Sequence, residues 1–182
     1  MSGPNLVDWL LALVTAAAGV HCLTRLRNAA PGADPGRRRH ARESDAAEAL
    51  MGFGMAAMAV TGATVPAVVW AGLFGLPAAA FLLAALYAPT GRAHRLHHAI
   101  GALAMTYTAL AMTASPVGHH HHAAVLGAPL LTGALLLYFG GYSLWAGARL
   151  LPAGTLVLGT SGLPQACRLT MGIGMFAMLL TM

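Results

Sequence analysis

The chain has 182 residues, of which 58% are hydrophobic and 8% charged, with a mean hydropathy of +0.69 and a net charge of +5. A water-exposed domain has about a quarter of its residues charged, so this composition excludes an ordinary soluble surface and indicates an integral membrane protein in a lipid bilayer. All ten basic residues are Arg at or near the ends of apolar segments, without the basic face and polar contacts of a nucleic-acid binder, so no nucleic acid is expected as partner.

A spanning helix needs about 20 mostly apolar residues to cross a hydrocarbon core about 30 Å thick. Windows of this kind lie at residues 6–26, 46–64, 67–88, 97–115, 124–147 and 164–182. The first has no basic n-region, and Ala16-Ala17-Ala18-Gly19 before Val20-His21-Cys22 makes a poor lipobox, so no cleavable signal is expected. Asp8, beside Trp9 near the outer end of this segment, suits an interfacial anchor.

Pro31-Gly32 separates the first two windows, Pro66 precedes the third, and Pro89-Thr90-Gly91 precedes the fourth. Pro116-Val117-Gly118 and Gly162-Leu163-Pro164 set off the fifth and sixth. Pro77 and Pro129 fall inside the third and fifth windows, where kinks are expected because neighbouring helices can satisfy the freed carbonyls. The connection at 150–163 contains Leu156, Val157 and Leu158 and either loops freely or lies along the membrane surface.

Arg sorts completely by connection. Arg25, Arg27, Arg37, Arg38, Arg39 and Arg42 flank the first, Arg92 and Arg95 the third, and Arg149 and Arg168 the fifth, while the others have none. Short Arg-rich loops stay cytoplasmic. The expected arrangement is a multi-pass protein of the plasma membrane with both termini outside and a single transmembrane domain over 1–182.

The second and sixth helices share a pattern. Met51-Gly52-Phe53-Gly54-Met55-Ala56-Ala57-Met58 matches Met171-Gly172-Ile173-Gly174-Met175-Phe176-Ala177-Met178 at six of eight positions. The fourth helix gives a weaker copy through Gly101, Met105 and Thr108, and three residues upstream of the three starts stand Glu48, His98 and Arg168. The fold class is therefore all-α, a six-helix bundle built from three helical-hairpin repeats.

Apart from Met1, every methionine lies in an even-numbered helix: Met51, Met55, Met58, Met105, Met112, Met171, Met175, Met178 and Met182. Spacings of three and four residues return to nearly the same helix face, so each stripe offers either thioether ligands for a soft ion such as Cu(I) or gap-filling packing against the neighbouring glycines.

The proposed topology brings His21 and Cys22 to about the depth of Glu48, His97, His98, Cys167 and Arg168. Ionisable groups within a span face the bundle interior and need partners. One reading makes His21, Cys22, Glu48, Met51 and His98 ligands of copper or zinc. In the other, Glu48 and Arg168 form an ion pair that His98 helps to satisfy, and a fixed cation at that level argues against the metal. His119, His120, His121 and His122 form either an outer metal contact or a polar turn, and His40 and His94 belong to a basic rim beside anionic lipid. A haem held by His21 and His98 is a third reading.

No phosphate loop, dinucleotide fingerprint, zinc-protease motif or nucleophile elbow is present, and no enzymatic machinery is visible. The Cys22-Leu23-Thr24-Arg25-Leu26 end of the first helix and the His-x-x-Met-x-x-x-Met openings of later helices resemble an actinobacterial family of multi-pass membrane proteins of unknown function. The chain departs from that pattern where Glu48 and Arg168 replace the histidine and Gly101 replaces a methionine. Two functions remain in view. One is a copper-handling protein using Met51, Met55, Met58, Met105, Met171, Met175 and Met178 with His21, Cys22 and His98; the other is a non-catalytic subunit of a larger membrane complex.

Overall fold

The computed structural model describes residues 6–28, 35–61, 64–88, 91–114, 128–150 and 163–180. These hold six helices and no strand: α1 Leu6–Arg27, α2 Pro35–Thr61, α3 Ala67–Tyr87, α4 Arg92–Ala114, α5 Ala128–Leu150 and α6 Leu163–Leu180. His119 to His122, Met182 and most of the connection at 150–163 lie outside the described residues, as does the side chain of Met112.

Two helices start earlier than their apolar windows. α2 begins at Pro35, not 46, because its Ala-, Arg- and Glu-rich head favours helix, proline is tolerated in a first turn, and Arg39 Nε donates to Glu43 Oε1 one turn on at 2.9 Å. α4 begins at Arg92 directly after Gly91, whose φ of 75° suits glycine, and the Arg95 N–H donates to the Gly91 carbonyl at 3.1 Å. The same Arg95 reaches back with its guanidinium to the carbonyls of Ala84 and Ala88, at 3.3 and 3.2 Å, satisfying the end of α3.

Pro129 corrects an expectation. α5 starts at Ala128, so Pro129 occupies the first turn, where the missing N–H would have had no partner in any case, and no kink is required of it. Pro77 does lie inside α3.

α1, α3 and the stretch Pro129–Arg149 of α5 are long and apolar enough to cross a membrane, and α6 has a shorter apolar stretch, Ala166–Leu180. The even-numbered helices are more mixed in character. They bury Ser44, Asp45, Glu48, His98 and Thr108, and each keeps an apolar exposed stripe seven residues apart: Phe53 and Val60, Leu103 and Leu110, Ile173 and Leu180.

Burial makes the repeat visible where the sequence is weak. Residues 51–58, 101–108 and 171–178 run through the same order of buried, buried, exposed, buried, buried, two half-buried and buried positions. α4 is thus a full copy in register even though Ala104 and Thr108 stand where the other helices have glycine and methionine.

The chain forms two compact units, one from Met1–Val60 with Phe139–Gly174 and the other from Thr61–Tyr138 with Met175–Met182. In the first, α1 and α2 approach closely at Gly52, where a Cβ would lie 2.8 Å from the Thr15 carbonyl oxygen and 3.1 Å from the Gly19 Cα. A Cβ at Gly174 of α6 would lie 3.4 Å from the Met55 sulfur, and one at Gly172 would lie 2.6 Å from Ser143 Oγ of α5. In the second unit α3 packs along α4. Tyr107 and Thr132 hydroxyls, 2.7 Å apart, join α4 to the first part of α5.

Candidate functional site

A charged layer lies where α1, α2 and α6 meet in the first unit. Glu48 is its hub. The α2 carboxylate is almost wholly buried, and its Oε1 accepts from Arg168 Nε of α6 at 3.0 Å and from Ser44 Oγ, one turn earlier on α2, at 3.1 Å. Its Oε2 accepts from the Cys22 thiol of α1 at 3.4 Å. Both oxygens are therefore engaged, as a polar group buried away from water requires.

Cys22 also shares a buried cluster with Cys167 of α6 and Ala49 of α2. The small alanine gives α1 and α6 room to come together over α2.

A second cross-link lies just before the apolar stretch of α2. Arg25, in the last turn of α1, pairs with Asp45 at 3.3 Å. Burial raises the Asp45 carboxyl above its ordinary range, and the positive charges of Arg25 and Arg168 work against that rise. Beside this pair, Leu26, Arg38, Arg39, Arg42, Glu43 and Ala46 line an open, basic cleft.

In the second unit, imidazoles gather at the start of α4. His98 Nε2 and His94 Nε2 are 3.0 Å apart, the Phe81 ring of α3 lies 5.5 Å from the His98 ring, and His97 Nδ1 meets the Tyr138 hydroxyl of α5 at 2.9 Å. A contact between two imidazole nitrogens needs one ring to donate and the other to accept, so at least one of the pair is neutral.

The structure thus joins Cys22 and Glu48 directly and makes the expected Glu48–Arg168 ion pair. The contacts described for His98 are with other groups, namely His94, His97 and Phe81. His21 is next to Cys22 in sequence, but successive helical positions point about 100° apart, and its Nε2 is buried without a hydrogen-bond partner among the described residues. Met51, Met55, Met105, Met171 and Met175 are all buried. The Met171 methyl sits against Gly52 and the Met55 sulfur against Gly174, so these methionines fill the gaps that the glycines leave.

Among the described residues no group of three or more His, Cys, Asp or Glu side chains is arranged to hold a metal ion. Two partnerships escaped the sequence reading: Arg25 with Asp45, and Cys22 with Cys167. The first had a signal, opposite charges at the end of one helix and the start of the next. The second had only a weak one, that Cys167 directly precedes the divergent repeat position Arg168.

Residues 40–182 match the family described as Domain of unknown function (DUF5134). The chain belongs to this family. No curated protein and no solved structure matches it. Membership in a family of unknown function agrees with the expectation of an uncharacterised family.

Proposed function

We propose that this DUF5134 chain is an actinobacterial multi-pass protein of the plasma membrane, with both termini outside, serving as a non-catalytic subunit that packs against other membrane proteins. The observation that carries this reading is that its polar and sulfur-bearing interior is already committed. Glu48 takes three donors from three helices, and Met171 and Met55 fit against Gly52 and Gly174. What remains outward is apolar surface, such as Leu130, Leu137 and Leu144 of α5, seven residues apart and at least 77% exposed. On the same helix, Gly133 and Gly141 would accept a Cβ without contact, and small open residues of this kind let a second helix approach closely. Purification in mild detergent tests the proposal: a constant protein partner that is lost on placing bulky residues at 133 and 141 supports it, and a protein that stays alone at native abundance overturns it.

Copper is the second reading, favoured by the buried thioethers of Met51, Met55, Met58, Met105, Met171, Met175 and Met178, with His21, Cys22 and His98 as further ligands. Loading purified protein with Cu(I) under reducing conditions separates the two. Stoichiometric retention that falls on replacing His21, Cys22 and His98 supports the metal, whereas no retention removes it.

A further inference from the structure

We infer that the open cleft lined by Leu26, Arg38, Arg39, Arg42, Glu43 and Ala46 binds the headgroup of an anionic phospholipid, with preference for a headgroup that carries two negative charges. The inference goes beyond the subunit reading and fails separately from it, since it needs the bilayer but no protein partner.

Three observations lead there. The first is charge. Three arginines and one glutamate line the cleft, which leaves two positive charges, and the adjoining Arg25–Asp45 pair adds none. Glu43 meets Arg39 at 2.9 Å, but the Arg39 side chain is 83% exposed, and a pair so open to water is weak beside a charge-assisted bond to phosphate. Arg38 and Arg42 are four residues apart on α2, and Arg39 and Arg42 three, so their stems share one side of the helix. Like charges at that spacing oppose the helix, as do cations near its start, where the dipole is positive. α2 has no acidic residue in its first turn to offset them. A bound anion relieves both costs, and guanidinium groups match the paired oxygens of a phosphate.

The second is depth. α1 is long and apolar enough to cross a membrane, and Leu26 lies in its last turn between Arg25 and Arg27. The cleft therefore sits where an apolar span gives way to polar chain, which is the level of the lipid phosphates.

The third is shape. The cleft has a volume of about 580 Å³, within the range of roughly 300–1,000 Å³ that holds small molecules. Leu26 and Ala46 make part of its lining apolar, and Leu23, one turn before Leu26 on nearly the same side of α1, is exposed. A basic cleft that continues into an apolar strip suits a lipid, which has both phosphate and acyl chain to place. A free phosphate would use only the arginines.

The experiment titrates purified full-length protein in detergent with cardiolipin, phosphatidylglycerol or phosphatidylcholine and follows binding by native mass spectrometry. Wild type is expected to hold one cardiolipin per chain most tightly, phosphatidylglycerol less so and phosphatidylcholine least. R38Q/R42Q is expected to lose cardiolipin affinity about thirtyfold, roughly fivefold for each arginine withdrawn from a membrane surface. E43Q is expected to gain affinity, because it removes the opposing charge, and R92Q at the start of α4 to leave it unchanged. Equal binding of cardiolipin and phosphatidylcholine by wild type overturns the inference, as does a loss in R92Q as large as that in R38Q/R42Q. Displacement of cardiolipin by an equal concentration of pyrophosphate assigns the cleft to a soluble phosphate and overturns the lipid. The wild-type comparison of lipids decides the matter even if R38Q/R42Q does not fold.

Discussion

Glu48 and Arg168 are separated by 120 residues of chain and by 3.0 Å in the fold. The contact fixes the face that α6 presents to α2, because a carboxylate buried in that position has no water to fall back on. Removing one member of such a pair leaves the other charge stranded.

R168M is therefore expected to destabilise the protein by about 3 kcal/mol, near the lower end for a broken buried pair, because the Arg168 side chain keeps 38% of its surface exposed. The double variant E48L/R168M should recover most of that loss. Thermal denaturation in detergent measures both, and a double variant no better than R168M would refute the pairing as the source of the cost.

Glycine position matters more than glycine number. G52A drives a Cβ against backbone atoms of α1, which cannot swing aside, and should cost about 1–3 kcal/mol. G72A on α3 meets nothing within 4 Å and should leave stability unchanged or raise it, since alanine favours helix. Equal melting shifts for the two would contradict the close approach of α1 and α2.

Asp45 gives a dependence on pH with a definite sign. Its carboxyl is raised in the fold, so the native state holds the proton more tightly than the unfolded chain does. The stability this contributes is complete below the ordinary value of 3.8 and is lost as pH rises through the higher native value. Relative to D45N, wild-type protein should gain stability on acidification toward pH 4, and R25M should steepen that gain by removing the opposing positive charge. Chemical denaturation of the three proteins across this range checks the order.

Y138F removes the hydroxyl that meets His97 and should cost about 1 kcal/mol. The imidazole signal of His97 should shift in nuclear magnetic resonance spectra of the labelled protein, with the Tyr107–Thr132 contact intact.

The helices and their repeat were legible in the sequence because apolar length and three-four spacing are local properties. Boundaries were less so. The head of α2 is polar and extends a helix that hydropathy alone would begin at residue 46, while Pro129 lies in a first turn that the apolar window overran. The Glu48–Arg168 pair could be expected from two isolated charges at one depth. The Cys22–Cys167 contact could not, because it depends on how two helices rotate about their axes, and a single buried cysteine on each carries no periodic signal. Met55 and Met171 illustrate the same limit: spacing puts each on the face of its helix's sulfur stripe, whereas only the neighbouring Gly174 and Gly52 show that the gaps beside them are filled.

The matching burial order at 51–58, 101–108 and 171–178 gives α2, α4 and α6 one shared pattern of inward and outward faces. Three places ahead of each stretch the copies differ, with Glu48, His98 and Arg168 in turn. The opposite signs of Glu48 and Arg168 at equivalent places let two of the three copies meet in one buried ionic contact.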